Sequence, residues 1–197
     1  MTAEQILLYW HDKEDMPMTN KRYLSYKDVN SQVLSIARQI TIDRWRPDYV
    51  IGLTRGGLLP AVLLSHWFNV PCHTLKVSLR DNGADNESNW WMAEDAFGYD
   101  EKFPTEGNPP KQILIVDDIN DTGATLEWIK QDWRRTCMPN SPNWDHIWHA
   151  NVRFAVLVNN LASPTKIDYT AMEINKAEDP TWIEFPYENW WTAELSQ

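Results

Sequence analysis

The chain has 197 residues, 43% of them hydrophobic, and a formal net charge of −10. This length predicts one domain with a sizeable core. Nucleic acid is excluded as the main partner, because binding a phosphate backbone requires clustered Lys and Arg. A membrane span is excluded because no apolar run approaches ~18 residues. The start of the chain lacks the basic residues and long apolar centre of a signal peptide, so we expect a cytoplasmic protein.

Strand and helix patterns alternate along most of the chain. Residues 1–21 read as a polar extension with one short helix at 3–10. After an extended segment at 23–24, apolar residues at spacings of three and four predict a helix from 26 to 44. The remaining predicted elements are a strand at 49–53, a helix from 59 or 60 to 68, strands at 72–79 and 113–116, a helix at 126–135, strands at 153–158 and 167–174, and a closing segment at 181–186. This alternation predicts an α/β fold with a doubly wound, mostly parallel sheet.

The segment 80–110 interrupts this alternation. It is rich in Asp, Asn, Glu, Gly and Pro, and it contains Trp90, Trp91 and Phe97. A connection of this length inside a compact domain is usually functional or mobile. The tryptophans would either seal a lid over the site or pack in a subunit interface.

One run carries the clearest functional pattern. The apolar residues 113–116 are followed by the acidic pair Asp117 and Asp118 and by a turn of small and hydroxylated residues. The backbone N–H groups of a turn that opens a helix bind anions, and carboxylates bind ribose hydroxyls or Mg²⁺. The run therefore predicts a site for a phosphorylated sugar. An ordinary strand and helix joined by a capping turn is the alternative.

The run from Ile113 to Thr125 resembles the 5-phosphoribosyl 1-diphosphate (PRPP) signature of the type I phosphoribosyltransferases. A second segment, 54–57, follows an apolar strand about sixty residues before the acidic pair and resembles that family's diphosphate loop. In the family this loop often contains a strained or cis peptide that exposes backbone amides, and Arg55 would add a permanent positive charge. The resemblance implies these PRPP-binding residues: Thr54, Arg55, Gly56, Gly57, Asp117, Asp118, Asn120, Asp121, Thr122, Gly123, Ala124 and Thr125.

The resemblance also implies roles for single carboxylates. Asp117 and Asp118 would bind the ribose hydroxyls and, through Mg²⁺, the diphosphate. Glu188 matches an acidic position near that metal. Asp121 stands where the family has its general base, near N7 of a purine, and would accept or orient a proton. As a single residue it is equally typical of a helix N-cap.

Within the family, the segments 49–60 and 181–188 look most like the xanthine-guanine and hypoxanthine group. That similarity implies that Trp182 stacks on the purine and that the backbone of Ile183 contacts its 2-position. Asn160 aligns with a lysine that donates to O6 of the base in 6-oxopurine enzymes. Lys166 is a possible substitute after a register shift, so the 6-substituent of the base stays open.

Taken together, the resemblance implies a Mg²⁺-dependent purine phosphoribosyltransferase of purine salvage. It would convert PRPP and guanine, xanthine or hypoxanthine into a nucleoside monophosphate and diphosphate, as a homodimer or homotetramer. Residues 22–197 would form the domain, with a flexible loop at about 80–110 and a base-binding hood at about 175–197 that packs with the N-terminal segment. Two alternatives stay open: a PRPP-binding regulatory protein without catalysis, and a phosphoribosyltransferase for a different base.

Overall fold

The computed structural model describes residues 20–77, 89–99 and 108–191. The helix expected at 3–10 and most of the segment 80–110 lie outside the described residues. The strands are β1 (Lys21–Tyr23), β2 (Tyr49–Thr54), β3 (Cys72–Lys76), β4 (Ile113–Asn120), β5 (Val152–Asn160), β6 (Tyr169–Ile174) and β7 (Trp182–Glu184). The α-helices are α1 (Tyr26–Ile42), α2 (Leu58–Phe68), α3 (Trp90–Phe97) and α4 (Ala124–Thr136), with a 3₁₀ helix at Pro142–His146.

Five strands form the central sheet in the order β3-β2-β4-β5-β6, and all neighbouring pairs are parallel. Because side chains alternate along a strand, Val50 and Leu114 pack with α1 and α2 on one face. Ile51 and Ile115 pack with α3 and α4 on the other face. The prediction of a doubly wound parallel sheet is therefore confirmed.

A second, two-stranded sheet joins the two ends of the described chain. β1 pairs in parallel with β7, and Arg22 lies opposite Ile183. Ile183 and Phe185 are buried in the same core as α1, so apolar burial fixes this hood on the main domain. The predicted hood, built from N- and C-terminal segments, is present.

Some element boundaries match the sequence-based prediction and others differ from it. α1 begins at the predicted residue because Ser25 and Asp28 form a capping box. β4 continues four residues beyond its apolar run, since Asn120 is still in register with Asn159 of β5. The helix α3 lies within a segment for which no element was predicted.

No helix of the described residues combines the length and the apolar character needed to cross a membrane. Both cysteines are free: Cys72 is exposed, whereas Cys137 is buried. The limits of the predicted domain at 22 and 197 stay a prediction.

Candidate active site

The predicted diphosphate loop and the acidic pair lie against each other. A Cβ atom added to Gly56 would stand 1.8 Å from Oδ2 of Asp118, and one added to Gly57 would stand 2.2 Å from the carbonyl oxygen of Val116. Both glycines are therefore required by close approach of the β4 end. The Thr54–Arg55 peptide is cis, as the resemblance implied, and the Arg55 side chain is exposed.

Two carboxylates crowd the carboxyl end of β4. Burial, followed by the charge of Asp118, raises the pKa of Asp117 well above its ordinary value. Burial, followed by the charge of Glu188, raises the pKa of Asp118 to about 6. Tyr187 donates a hydrogen bond to Oδ2 of Asp118 at 3.3 Å. Repulsion of this kind is relieved by a bound cation, so the site favours a positive charge here.

These carboxylates do not form a complete metal cage. Over the described ranges, no three His, Cys, Asp or Glu side chains are grouped as a metal-binding cluster. Mg²⁺ is usually held by one or two carboxylates together with water and substrate phosphates. Asp117 and Asp118 therefore fit a magnesium ion that arrives with a phosphorylated substrate.

The predicted phosphate loop leads directly into α4. Gly123 has φ +81°, and a Cβ there would stand 2.1 Å from Oγ1 of Thr165 and 2.8 Å from Oγ of Ser163. Thr122 is exposed at the mouth of this turn. Its hydroxyl accepts a long, 3.4 Å hydrogen bond from the N–H of Ala124. The loop thus presents a hydroxyl and the N-terminus of a helix at one place, which suits a phosphate.

Asn120 lies beneath this loop rather than at its surface. It is buried, its amide nitrogen donates to Oδ1 of Asn159 at 2.8 Å, and its amide oxygen accepts from the hydroxyl of Ser163 at 3.2 Å. The side chain therefore supports the loop from below, and its contact with PRPP stays a prediction.

Asp121 and Trp182 lie close together, joined by a lysine that sequence reasoning missed. Nζ of Lys176 donates to Oδ2 of Asp121 at 2.9 Å and stands 5.6 Å from the centre of the Trp182 ring. Lys176 follows the end of β6. That position was a usable signal, because the carboxyl ends of parallel strands share one edge of the sheet.

The amide of Asn160 is bonded within the protein. The side chain is only 5% exposed, and its nitrogen donates to the carbonyl oxygen of Asp121 at 2.8 Å. Its oxygen accepts from the backbone N–H groups of Lys176 and Ala162, at 3.0 and 3.2 Å. A contact between Asn160 and a base stays a prediction, and Lys166 is exposed on the connection between β5 and β6.

The hood supplies the remaining predicted residues. The side chain of Ile183 is buried in the core, which leaves its backbone for any contact with a base. Glu188 accepts a hydrogen bond from the N–H of Phe185 at 3.3 Å. Tyr187, which sequence reasoning did not single out, stacks on Phe185 with ring centres 5.4 Å apart. The hood is therefore attached to the acidic pair by the phenol of Tyr187.

The chain is similar in sequence to phosphoribosyltransferases for xanthine, hypoxanthine and guanine. Xanthine phosphoribosyltransferase 1 of Saccharomyces cerevisiae is 27% identical over 129 residues, a match that covers 57% of this chain and 60% of that protein. The hypoxanthine-guanine phosphoribosyltransferase of Schizosaccharomyces pombe is 22% identical over 188 residues, covering 84% and 88%. The xanthine-guanine phosphoribosyltransferase of Cereibacter sphaeroides is 25% identical over 189 residues, covering 89% and 92%.

Solved structures share the fold. A purine phosphoribosyltransferase from Pyrococcus horikoshii matches with a TM-score of 0.59 and 24% identity, over 87% of this chain and 96% of that one. The xanthine-guanine-hypoxanthine phosphoribosyltransferase of Helicobacter pylori matches with a TM-score of 0.61 and 18% identity, over 90% and 100%. The model of the phosphoribosyl transferase domain matches residues 21–189, and the chain therefore belongs to the phosphoribosyl transferase domain family.

Proposed function

We propose that this protein transfers the 5-phosphoribosyl group of PRPP to a purine base of the guanine, xanthine or hypoxanthine type. The products are a nucleoside monophosphate and diphosphate. The observation that carries the proposal is the position of Asp121. It directly precedes the phosphate loop, and its carboxylate is linked through Lys176 to the face of Trp182. A ring stacked on Trp182 would thus lie beside a carboxylate and close to the sugar-phosphate site.

In the proposed reaction the bond between C1′ of the ribose and the diphosphate oxygen breaks, and a bond from C1′ to a ring nitrogen of the base forms. The phosphate loop at 122–125 holds the 5′-phosphate through its N–H groups and hydroxyls. The loop at 54–57 holds the leaving diphosphate, and Arg55 adds a fixed positive charge. Asp117 and Asp118 accept hydrogen bonds from the ribose hydroxyls.

The base must lose or shift a proton as its ring nitrogen bonds to C1′. Asp121 is partly exposed, with 42% of its side chain accessible, and the Lys176 ammonium that donates to it lies 5.6 Å from the centre of the Trp182 ring. It accepts or orients the proton on N7 of the purine, a role that requires only hydrogen-bond reach.

Magnesium is part of the proposal. Asp117 and Asp118, with Glu188 nearby, would hold the ion together with oxygens of PRPP. When bound, the ion neutralises charge that develops on the diphosphate. The raised pKa of Asp118, at about 6, is the property of this chain that supports a cation here.

The test is a product assay. Protein, Mg²⁺ and PRPP are incubated separately with guanine, xanthine, hypoxanthine and adenine, and nucleotide and diphosphate are quantified by chromatography. At least one 6-oxopurine should yield equal amounts of nucleotide and diphosphate. Measurable PRPP binding without any product would favour the regulatory alternative. Product from a base other than a purine would favour a different substrate.

We also propose a homodimer or homotetramer. α2 is apolar around most of its circumference, and it leaves Trp67 53% exposed. A second copy packed against α2 would cover this indole. Light scattering coupled to size exclusion should give a mass of two or four chains, and W67E should reduce it; a monomeric wild type would contradict the proposal.

A further inference from the structure

We infer that Lys176 is the residue that recognises the 6-position of the base, by donating a hydrogen bond to a 6-oxygen. The inference rests on the proposed function and deepens it, since it assigns the preference for 6-oxopurines over 6-aminopurines to one side chain. It also places the donor on the turn after β6, whereas the family resemblance aligns the expected lysine with Asn160.

The first support is the pairing of donor and acceptor. Nζ of Lys176 and Oδ2 of Asp121 are 2.9 Å apart, so a charged donor and a carboxylate acceptor lie side by side. A 6-oxopurine carries its oxygen next to N7 on one edge of the ring. When N7 bears the proton, that edge presents one acceptor and one donor. The pair of side chains is complementary to this edge.

The second support is the position of the pair beside Trp182. Nζ stands 5.6 Å from the centre of the indole ring, which is the separation of a cation from an aromatic face. A purine that stacks on this indole would bring its edge to the same ammonium group. Adenine would present an amino group there, and an ammonium cannot accept its hydrogen bond.

The third support is the anchoring of the lysine. Oδ1 of Asn160 accepts from the backbone N–H of Lys176 at 3.0 Å. The carbonyl oxygen of Asn175 accepts from the N–H of Asp179 at 2.9 Å, closing the turn. The Lys176 side chain is only 19% exposed. The backbone and most of the stem are thus held, and a small movement of the ammonium takes it from Asp121 to a base.

Asn160 therefore acts as a positioning residue. It occupies the position at which the family resemblance suggests a lysine, and its amide joins the backbone of Asp121 to the backbone of Lys176. The charge missing at Asn160 is supplied by the residue that Asn160 holds in place.

The experiment compares hypoxanthine with unsubstituted purine, which is the same ring without the 6-oxygen. kcat/KM for each base, and KM for PRPP, are measured for wild type, K176M, K176R and K166M. Methionine keeps the stem of the lysine but removes the donor, and K166M tests the alternative donor, the exposed Lys166. We expect K176M to lower kcat/KM for hypoxanthine by about 10- to 100-fold, the usual value of one such base contact. The value for purine and the KM for PRPP should change little, and K176R should retain part of the preference.

Each other outcome overturns the inference in a recognisable way. If K176M lowers kcat/KM equally for both bases, Lys176 acts only through Asp121 or through the stability of the fold. Thermal unfolding of the variant distinguishes these two explanations. If K166M rather than K176M removes the preference, Lys166 is the donor. If wild type makes nucleotide and K176M keeps its preference, the inference fails while the proposed function stands. If wild type makes no nucleotide from any purine, the proposed function itself fails.

Discussion

The carboxylate of Asp118 occupies the space in which a Cβ of Gly56 would lie, with Oδ2 only 1.8 Å from that position. The loop at 54–57 and the end of β4, which are far apart in sequence, therefore meet without room for one methyl group. Because both border the proposed site of the diphosphate and the ribose hydroxyls, the glycine fixes the distance between them. Any side chain at position 56 must displace either the acidic pair or the loop.

The first prediction concerns G56A. We expect the KM for PRPP to rise by about 100-fold, because a displacement of about 1 Å in a binding site has effects of this size. Steady-state kinetics with varied PRPP give the value. G98A is the control for steric overlap: an added Cβ at Gly98 would stand 2.4 Å from the carbonyl oxygen of Asn108, but Gly98 lies at the end of α3. A KM for PRPP that rises equally in G98A would show that the effect is general instability.

The second prediction concerns the stability of D118N. The pKa of Asp118 rises from an ordinary 3.8 to about 6 in the folded protein, so the folded state binds this proton more tightly than the unfolded chain. The contribution of Asp118 to stability therefore falls as pH rises from about 4 to about 6 and stays lower above that range. Removing the ionisable group should raise the free energy of unfolding at pH 7 by about 1–3 kcal/mol and weaken binding of Mg²⁺ and PRPP.

Urea denaturation of D118N and wild type at several pH values from 4 to 8, without Mg²⁺, checks this prediction. The difference between the two proteins should shrink toward zero at pH 4, where Asp118 is protonated in the wild type. D145N removes the same charge from an exposed carboxylate that pairs with Arg134, and it should change stability little. A D118N protein that is less stable than wild type at pH 7 would contradict the conclusion that burying the charged Asp118 carboxylate destabilises the folded state.

The central sheet could be predicted from the sequence because its strands are continuous apolar runs. The run 113–116 is buried on both faces, as its composition indicated. The helix α3 could not be predicted in the same way. Its Trp90 is exposed while Met92, Ala93 and Ala96 are buried, and the polar residues on both sides hide this short pattern.

The candidate site, too, could be predicted only in part from the sequence. Asp117, Asp118 and the turn 122–125 are contiguous, so one local motif indicates them together. The partners that complete the site come from far along the chain: Lys176 is 55 residues from Asp121, and Tyr187 is 69 residues from Asp118. These contacts depend on β6 pairing with β5 and on the hood folding over β4. The spacing of residues along the sequence carries no information about this strand pairing or about the position of the hood.

The third prediction concerns D121N. The variant keeps an acceptor atom but loses the negative charge, so we expect kcat to fall about 100-fold or more while PRPP affinity changes far less. Single-turnover rates and titration with PRPP separate the two quantities. D179N is the control, because exposed Asp179 lies on the same turn as Lys176 and its loss changes the net charge equally. Full activity in D121N would exclude Asp121 as the base.

The fourth prediction tests how the phosphate loop is supported. A Cβ at Gly123 would stand 2.1 Å from Oγ1 of Thr165, a hydroxyl that donates to Oε1 of Glu127 at 3.2 Å. G123A should therefore destabilise the protein by about 1–3 kcal/mol, through both this overlap and the positive φ, and weaken PRPP binding. T165A alone removes a hydroxyl that donates to Oε1 of Glu127 at 3.2 Å, with the carbonyl oxygen of Gly123 at 3.5 Å, and it should have a smaller effect, about 1 kcal/mol. In the double variant the 2.1 Å overlap with Oγ1 of Thr165 is removed, while the 2.8 Å contacts with Oγ of Ser163 and Cβ of Thr165 and the cost of the positive φ stay. The double variant should therefore lose less stability than the sum of the losses in the two single variants. A double-mutant cycle measured by urea denaturation should give a coupling of about 1 kcal/mol. Strict additivity would mean that the loop does not rest on Thr165, and that the strain at Gly123 is a property of its backbone alone.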